Sequence, residues 1–152
     1  MSLLNQSAPD FTLIDTQKAP VKLSDYLGSK VVLAFYPAAF SGICDEEMCI
    51  FEGRLDQLNK AQAKVFGISP DSPFTNKKFA EVNAISFPLL SDLHLDATRK
   101  YGVAFDNFAH IEGYTACNRA VFIVGEDGKV IYEWIAEHPG FQPNYDEVLA
   151  AL

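Results

Sequence analysis

Residues 31–49 read VVLAFYPAAFSGICDEEMC, and the chain changes character twice within them. Val31–Tyr36 is continuously apolar and β-rich, the pattern of a strand buried on both faces. Pro37 ends it, because proline cannot continue a hydrogen-bonded ladder. From Cys44 to about Lys60 the apolar residues Met48, Phe51, Leu55 and Leu58 recur at helical spacing, which predicts one amphipathic helix. A short loop therefore carries the chain from a buried strand to a helix start. In α/β folds that junction lies at the carboxyl end of the sheet, where ligand sites gather. Cys44 stands on it, where exposed backbone N–H groups and the helix dipole favour a thiolate.

The same alternation extends outward. Phe11–Ile14 and Val21–Leu23 predict a short edge hairpin, followed by a brief turn capped by Ser24 and ended by Gly28. Lys64–Ser69 reads as a second buried strand, and Asp71-Ser72-Pro73 opens a helix to about Val82. Ser86–Leu90 predicts a short strand running into Ser91-Asp92, which caps a helix over Leu93–Tyr101 ended by Gly102. Val103–Asn118 reads as a long irregular loop. Arg119–Val124 and Lys129–Ile135 form a hairpin about Gly125–Gly128. Pro143-Asn144 opens the last helix, with Asn144 and Glu147 spaced like a capping box. The expected fold is α/β and thioredoxin-like: a central mixed β-sheet flanked by helices, with an N-terminal β-hairpin extension. Neither a repeat nor a linker divides the chain, so residues 1–152 are expected to form one domain.

Bulk properties narrow the function. Hydrophobic residues make up 49% of the chain, enough for a packed core. The net charge of -8 and the lack of a basic run argue against nucleic acid as a partner. No apolar run reaches the roughly 18 residues of a membrane span, and the N-terminus does not read as a secretory signal. A cytoplasmic location is the expectation. The three cysteines, Cys44, Cys49 and Cys117, are an odd count. His94, His110 and His138 are scattered and pair with none of them in sequence, so a zinc site is a poor explanation.

Helical geometry constrains the first two cysteines. Cys44 falls on the Met48–Phe51–Leu55 stripe, facing the protein body, whereas Cys49 is rotated from it by roughly 140°. In regular helix their Cα atoms stand about 8–9 Å apart, beyond the roughly 4.4–6.8 Å of a disulfide. A bond between them requires the first turns to unwind, which would couple oxidation state to conformation. The acidic run Asp45-Glu46-Glu47 stabilises the helix start but repels a thiolate. A cation is needed to offset it, and Arg119, at the mouth of the RAVFIV strand, is the best candidate.

These residues resemble a known family. Pro37-x-x-x-Ser41-x-x-Cys44 is similar to the Pro-x-x-x-Thr/Ser-x-x-Cys motif of the peroxiredoxins, and Arg119 looks like their active-site arginine. APDFTL, FYP, FPLLSD and the final hairpin and helix extend the likeness over nearly the whole chain. A second cysteine five residues after the first is similar to the Q-type, or bacterioferritin-comigratory, subgroup. PAAFSGIC also looks like the one-cysteine bacterial branch. Glu47 matches the family's glutamate three residues after the reactive cysteine, and Ser41 replaces the commoner threonine. Phe51-Glu52-Gly53 departs from the family's Phe-Arg-Asp, with an arginine at Arg54 instead.

The resemblance implies reduction of hydrogen peroxide and organic hydroperoxides. Cys44 would be the peroxidatic residue and pass through a sulfenic acid. Ser41 and Arg119 would hold peroxide and thiolate, and Pro37 would shield the sulfur from water. Gly42 and Ile43 would turn backbone N–H groups toward the substrate, with Glu47 and Phe40 in support. Cys49 would resolve Cys44 as an intramolecular disulfide, and a thioredoxin-like protein would reopen it. No cofactor is implied, and both monomer and homodimer stay open. Phe105 and Phe108 are candidates for a collar around the site. Cys117 reads as inert packing, with a resolving role as the lesser alternative. A protein thiol–disulfide oxidoreductase is disfavoured by the Cys-x4-Cys spacing, and a non-enzymatic redox sensor on the same fold is the third class.

Overall fold

The computed structural model describes residues 2–152, except for the side chain of Cys44. In chain order the strands are β1 (Thr12–Ile14), β2 (Pro20–Lys22), β3 (Lys30–Phe35), β4 (Ala63–Ser69), β5 (Leu89–Ser91), β6 (Ala104–Phe105), β7 (Ala116–Cys117), β8 (Ala120–Val124) and β9 (Val130–Ile135). The helices are α1 (Ile43–Gly53), α2 (Leu55–Lys60), α3 (Pro73–Asn83), α4 (Asp96–Lys100) and α5 (Tyr145–Ala150). The main sheet runs β2-β1-β5-β4-β3-β8-β9. β3, β4 and β5 are mutually parallel, whereas β8 joins β3 antiparallel and the β1–β2 hairpin closes the other side antiparallel. This is the thioredoxin-like arrangement anticipated from the element order.

The unbroken apolar run of β3 is explained by a core on each face of the sheet. Val31, Leu33 and Phe35 pack with Phe66, Tyr101 and Phe122 on one side. Val32, Ala34 and Tyr36 pack with Met48, Phe51, Leu58 and Phe79 on the other. α1 lies against β4 at Gly67, where an added Cβ would stand 2.6 Å from Leu89 Cδ2 and 3.2 Å from both Met48 Sδ and Tyr36 Cε1. The absent side chain is what lets the helix carrying Cys44 sit close to the sheet.

Several boundaries differ from expectation. The single helix predicted from Cys44 to Lys60 is two helices, broken at Arg54 (φ -101°, ψ 7°). Gly53 is a poor helix former, and the Arg54 N–H is shared between the carbonyls of Ile50 and Phe51. The helix predicted over Leu93–Tyr101 begins only at Asp96, because Leu95 adopts a left-handed conformation with φ 58°. Asp92 still serves that helix, accepting from the backbone N–H groups of Ala97 and Thr98 and from the Thr98 hydroxyl. The brief turn Leu23–Tyr26 has no side-chain cap, so Ser24 does not play that part. The loop Val103–Asn118 holds the β6–β7 ribbon, which ties its two ends together. Asn144 caps α5, accepting from the N–H groups of Asp146 and Glu147. Among the described residues no helix is long and apolar enough to cross a membrane.

Gly67→Ala is expected to cost about 1–3 kcal/mol, because the new methyl meets a filled core. A lowered urea midpoint at unchanged slope is the readout. An unchanged midpoint would mean that Leu89 and Met48 yield freely and that the glycine is not needed for the approach.

Candidate active site

The loop after β3 is tied down at several points. The Tyr36 N–H continues the ladder by donating to Ile68 O, and its hydroxyl donates to Asn76 Oδ1 at 2.7 Å. The Ala39 N–H donates to Asp71 Oδ2 at 2.8 Å, and the Ser69 hydroxyl donates to the same oxygen. The Ser41 hydroxyl donates to Ala38 O at 2.7 Å, which folds the loop back on itself. Phe40 and Gly42 have φ values of 63° and 83°. Glycine takes the second freely, whereas Phe40 is held in an unfavourable region with its ring edge-on to Phe79. α1 then starts at Ile43, with the Glu46 N–H donating to Gly42 O. The backbone of Cys44 lies in this first turn, and its side chain is outside the described residues.

Pro37, Ser41, Ile43 and Arg119 line one cavity of about 360 Å³. The rest of the wall comes from Phe105–His110 and His138–Gly140. The collar anticipated from Phe105 and Phe108 therefore stands at the site, and exposed His110 joins it. Phe40 and Gly42 do not line the cavity. The Ile43 N–H is engaged by Ser41 O at 3.1 Å, so it is not turned toward a ligand as expected.

Arg119 is 1% exposed, although guanidinium groups are rarely buried. Its Nε donates to Pro139 O at 3.1 Å, and its terminal NH1 nitrogen donates to Glu47 Oε1 at 3.3 Å. Glu47 is fully buried, and among the described residues its second oxygen has no hydrogen-bond partner. Burial pushes its pKa up to about 8, against the opposing pull of the Arg119 charge and hydrogen bond. The acidic run is thus split: Glu46 reaches the surface and accepts from Gln142, while Glu47 turns inward beneath Arg119. The four-residue step from Glu47 to Phe51 is the one sequence signal for that inward face, and the acidic triplet masks it.

The other cysteines separate cleanly. Cys49 is exposed on α1, with its thiol 3.7 Å from Asn83 Oδ1. Its pKa is raised by partial burial and then by the charges of Asp45 and Glu52. Cys117 is fully buried and donates to Tyr36 O at 3.0 Å, as suits inert packing. Arg54 pairs with Asp146 at the surface and does not enter the cavity. Sequence reasoning missed Asp71, which was read only as part of a helix opening. It also missed the His138–Gly140 turn, which carries no signal beyond a Pro-Gly pair. Among the described residues no three His, Cys, Asp or Glu side chains converge to hold a metal ion.

Comparison with known proteins agrees with this geometry. Residues 4–133 match the AhpC/TSA family. Peroxiredoxin Bcp of Escherichia coli K12 is 32% identical over 146 residues, covering 86% of this chain and 94% of that one. The chloroplastic peroxiredoxin Q of Sedum lineare is 35% identical over 146 residues, covering 95% of this chain and 74% of its own. The crystal structure of peroxidoxin BcpB from Mycobacterium tuberculosis superposes with a TM-score of 0.86 at 30% identity, over 99% of this chain and 96% of that one. The chain belongs to the AhpC/TSA family, within its Q-type, bacterioferritin-comigratory branch of peroxiredoxins. It is a thiol peroxidase.

Glu47 gives the site a pH signature. Its pKa is raised on folding from 4.5 to about 8, so the folded state holds this proton more tightly than the unfolded chain. Its contribution to stability is full below pH 4.5 and is lost as pH rises through about 8. Glu47→Gln is expected to flatten that decline in urea unfolding measured across this range. An unaltered slope would show that Glu47 is not the group responsible.

Proposed function

We propose that this protein, as a single domain over residues 1–152, reduces hydroperoxides through Cys44. The thiolate attacks the terminal oxygen of ROOH; the O–O bond breaks, an S–O bond forms, and the alkoxide leaves as ROH after taking a proton. Cys44 is left as a sulfenic acid. The observation that carries this reading is the buried guanidinium of Arg119, which lines the same cavity as Pro37, Ser41 and the first turn of the Cys44 helix. A fixed positive charge there favours the thiolate and the charge that develops on the peroxide oxygens. Ser41 supplies a hydroxyl at the cavity wall, and Pro37 limits the freedom of the loop and the entry of water. The phenyl rings of Phe105 and Phe108 leave room for an organic group, so alkyl hydroperoxides suit the cavity as well as hydrogen peroxide.

Cys49 then resolves the sulfenic acid. Its thiol attacks the Cys44 sulfur, a disulfide forms and water leaves. The first turns of α1 must unwind for this, since both residues belong to one helix and Cys49 faces out. An external dithiol of the thioredoxin type reopens the bond by thiol–disulfide exchange. One observation favours a second reading: the raised pKa of Cys49 leaves less thiolate for the attack. In that case an outside thiol resolves Cys44 directly.

Cys44→Ser is expected to lower peroxide turnover at least about a thousandfold, to the level of a side chain without a nucleophilic thiolate. A variant that keeps wild-type activity ends the proposal. Peptide mass mapping after one equivalent of hydrogen peroxide is expected to find a Cys44–Cys49 disulfide. A stable Cys44 sulfenic acid with free Cys49 would assign the one-cysteine cycle instead.

A further inference from the structure

We propose that His138 is a positioning residue for Arg119, acting through the tight turn that it opens. Residues His138–Phe141 form a turn closed by the Phe141 N–H donating to His138 O at 3.0 Å. A second bond lies inside it: the Gly140 N–H donates to the imidazole Nδ1 of His138, also at 3.0 Å. Between the two bonded residues sits Pro139, whose carbonyl accepts from Arg119 Nε at 3.1 Å. The carbonyl that orients the guanidinium is therefore carried at the middle of a turn that the imidazole ties together. Proline fixes its own φ, so the remaining freedom lies in the peptide between Pro139 and Gly140, the unit whose N–H the imidazole holds.

Two further features fit this role. A Cβ at Gly140 would stand 3.2 Å from His138 Nδ1, tighter than ordinary contact, so glycine leaves the imidazole its place over the peptide. The ring is also flanked edge-on by Phe105 at 6.1 Å and by Phe141 at 6.5 Å. An exposed side chain is thus held in one orientation by a hydrogen bond and two aromatic neighbours. Arg119 itself has little other slack. Its strand is fixed by the Ala136 N–H donating to Arg119 O and by Asn118 Nδ2 donating to Ala136 O. What the turn controls is the aim of the guanidinium within the cavity.

The bond has a chemical condition. Nδ1 can accept only while it carries no proton, and an imidazolium would set two donors face to face. Protonation of His138 therefore opens the turn and loosens Pro139 O. The charged or titratable groups that share its surroundings are Asp106, His110 and Arg119 around the cavity, with Glu137 beside it in the chain. Glu46 lies near the far end of the segment, through its bond with Gln142. The proposal rests on the reading of Arg119 as the charge that serves the thiolate.

The test is kcat/KM for hydrogen peroxide as a function of pH in the intact protein and three variants. His138→Ala removes the acceptor and is expected to lower kcat/KM between about 10- and 100-fold, the scale of a misaimed catalytic group. His138→Asn offers an amide oxygen that can accept the same N–H, as asparagine does in such turns, and is expected to restore the rate. A deficient Arg119→Lys beside a fully active His138→Ala overturns this proposal alone. A fully active Arg119→Lys overturns the reading of Arg119, and the proposal with it. A His138→Asn enzyme as impaired as the alanine variant also overturns it.

Discussion

A guanidinium that is almost wholly removed from water governs the arrangement of this molecule around its cavity. Burying such a charge is costly unless its donors are met. Arg119 meets the Pro139 carbonyl on one side and the Glu47 carboxyl on the other. The first comes from the segment after β9 and the second from α1, so one side chain gathers three separate parts of the chain. Its price is visible in Glu47, which is drawn into the interior with one oxygen unpartnered among the described residues and a pKa pushed well above the ordinary carboxylate value. The pair is poorly suited to adding stability, since burial holds Glu47 toward its protonated form and leaves a guanidinium only partly offset. Its contribution is to place positive charge where the proposed reaction develops negative charge.

The two faces of the sheet divide the work around that charge. One core, with Phe35, Tyr101 and Phe122, supports the face away from α1. The other holds α1 through Met48 and Phe51 and carries α3 through Phe79. Tyr36 and Asn76 link β3 to α3 within this second core by a buried hydrogen bond, and Asn76 also donates to Ser91 on β5. The adjacent loop takes its shape from Asp71, which reaches from the end of β4 to the Ala39 N–H. The loop is thus defined less by its own sequence than by polar groups on neighbouring strands. Hydrogen-bond networks of this kind, where satisfied, confer rigidity.

Much of this was legible in the chain itself. The apolar run of β3 announced a strand with two buried faces, and the helical spacing of Met48, Phe51 and Leu55 put Cys44 at a helix start. Arg119 was legible as a candidate cation, though only folding could bring it to the cavity. The break at Arg54 was hidden because Leu55 and Leu58 keep the helical spacing of Met48 and Phe51 across it, so periodicity alone could not reveal it. The late start of α4 depends on one left-handed residue, Leu95, where no glycine or asparagine gives warning. The inward turn of Glu47 was masked by its neighbours, since an acidic triplet in a first turn reads as a solvated surface. His138 and Pro139 act through contacts made about twenty residues away in sequence from Arg119, beyond any local pattern.

The break at Arg54 has a mechanical meaning. The hydrogen-bond series of α2 begins at the Arg54 carbonyl, which accepts the Leu58 N–H, while the Arg54 N–H still closes the last turn of α1 on Ile50 and Phe51. Unravelling that starts at the sulfur end of α1 therefore meets a seam before it can spread. Leu58 anchors α2 in the core on the far side of that seam. In the proposed cycle the seam is where local unwinding of α1 would stop, short of the segment that carries Leu58.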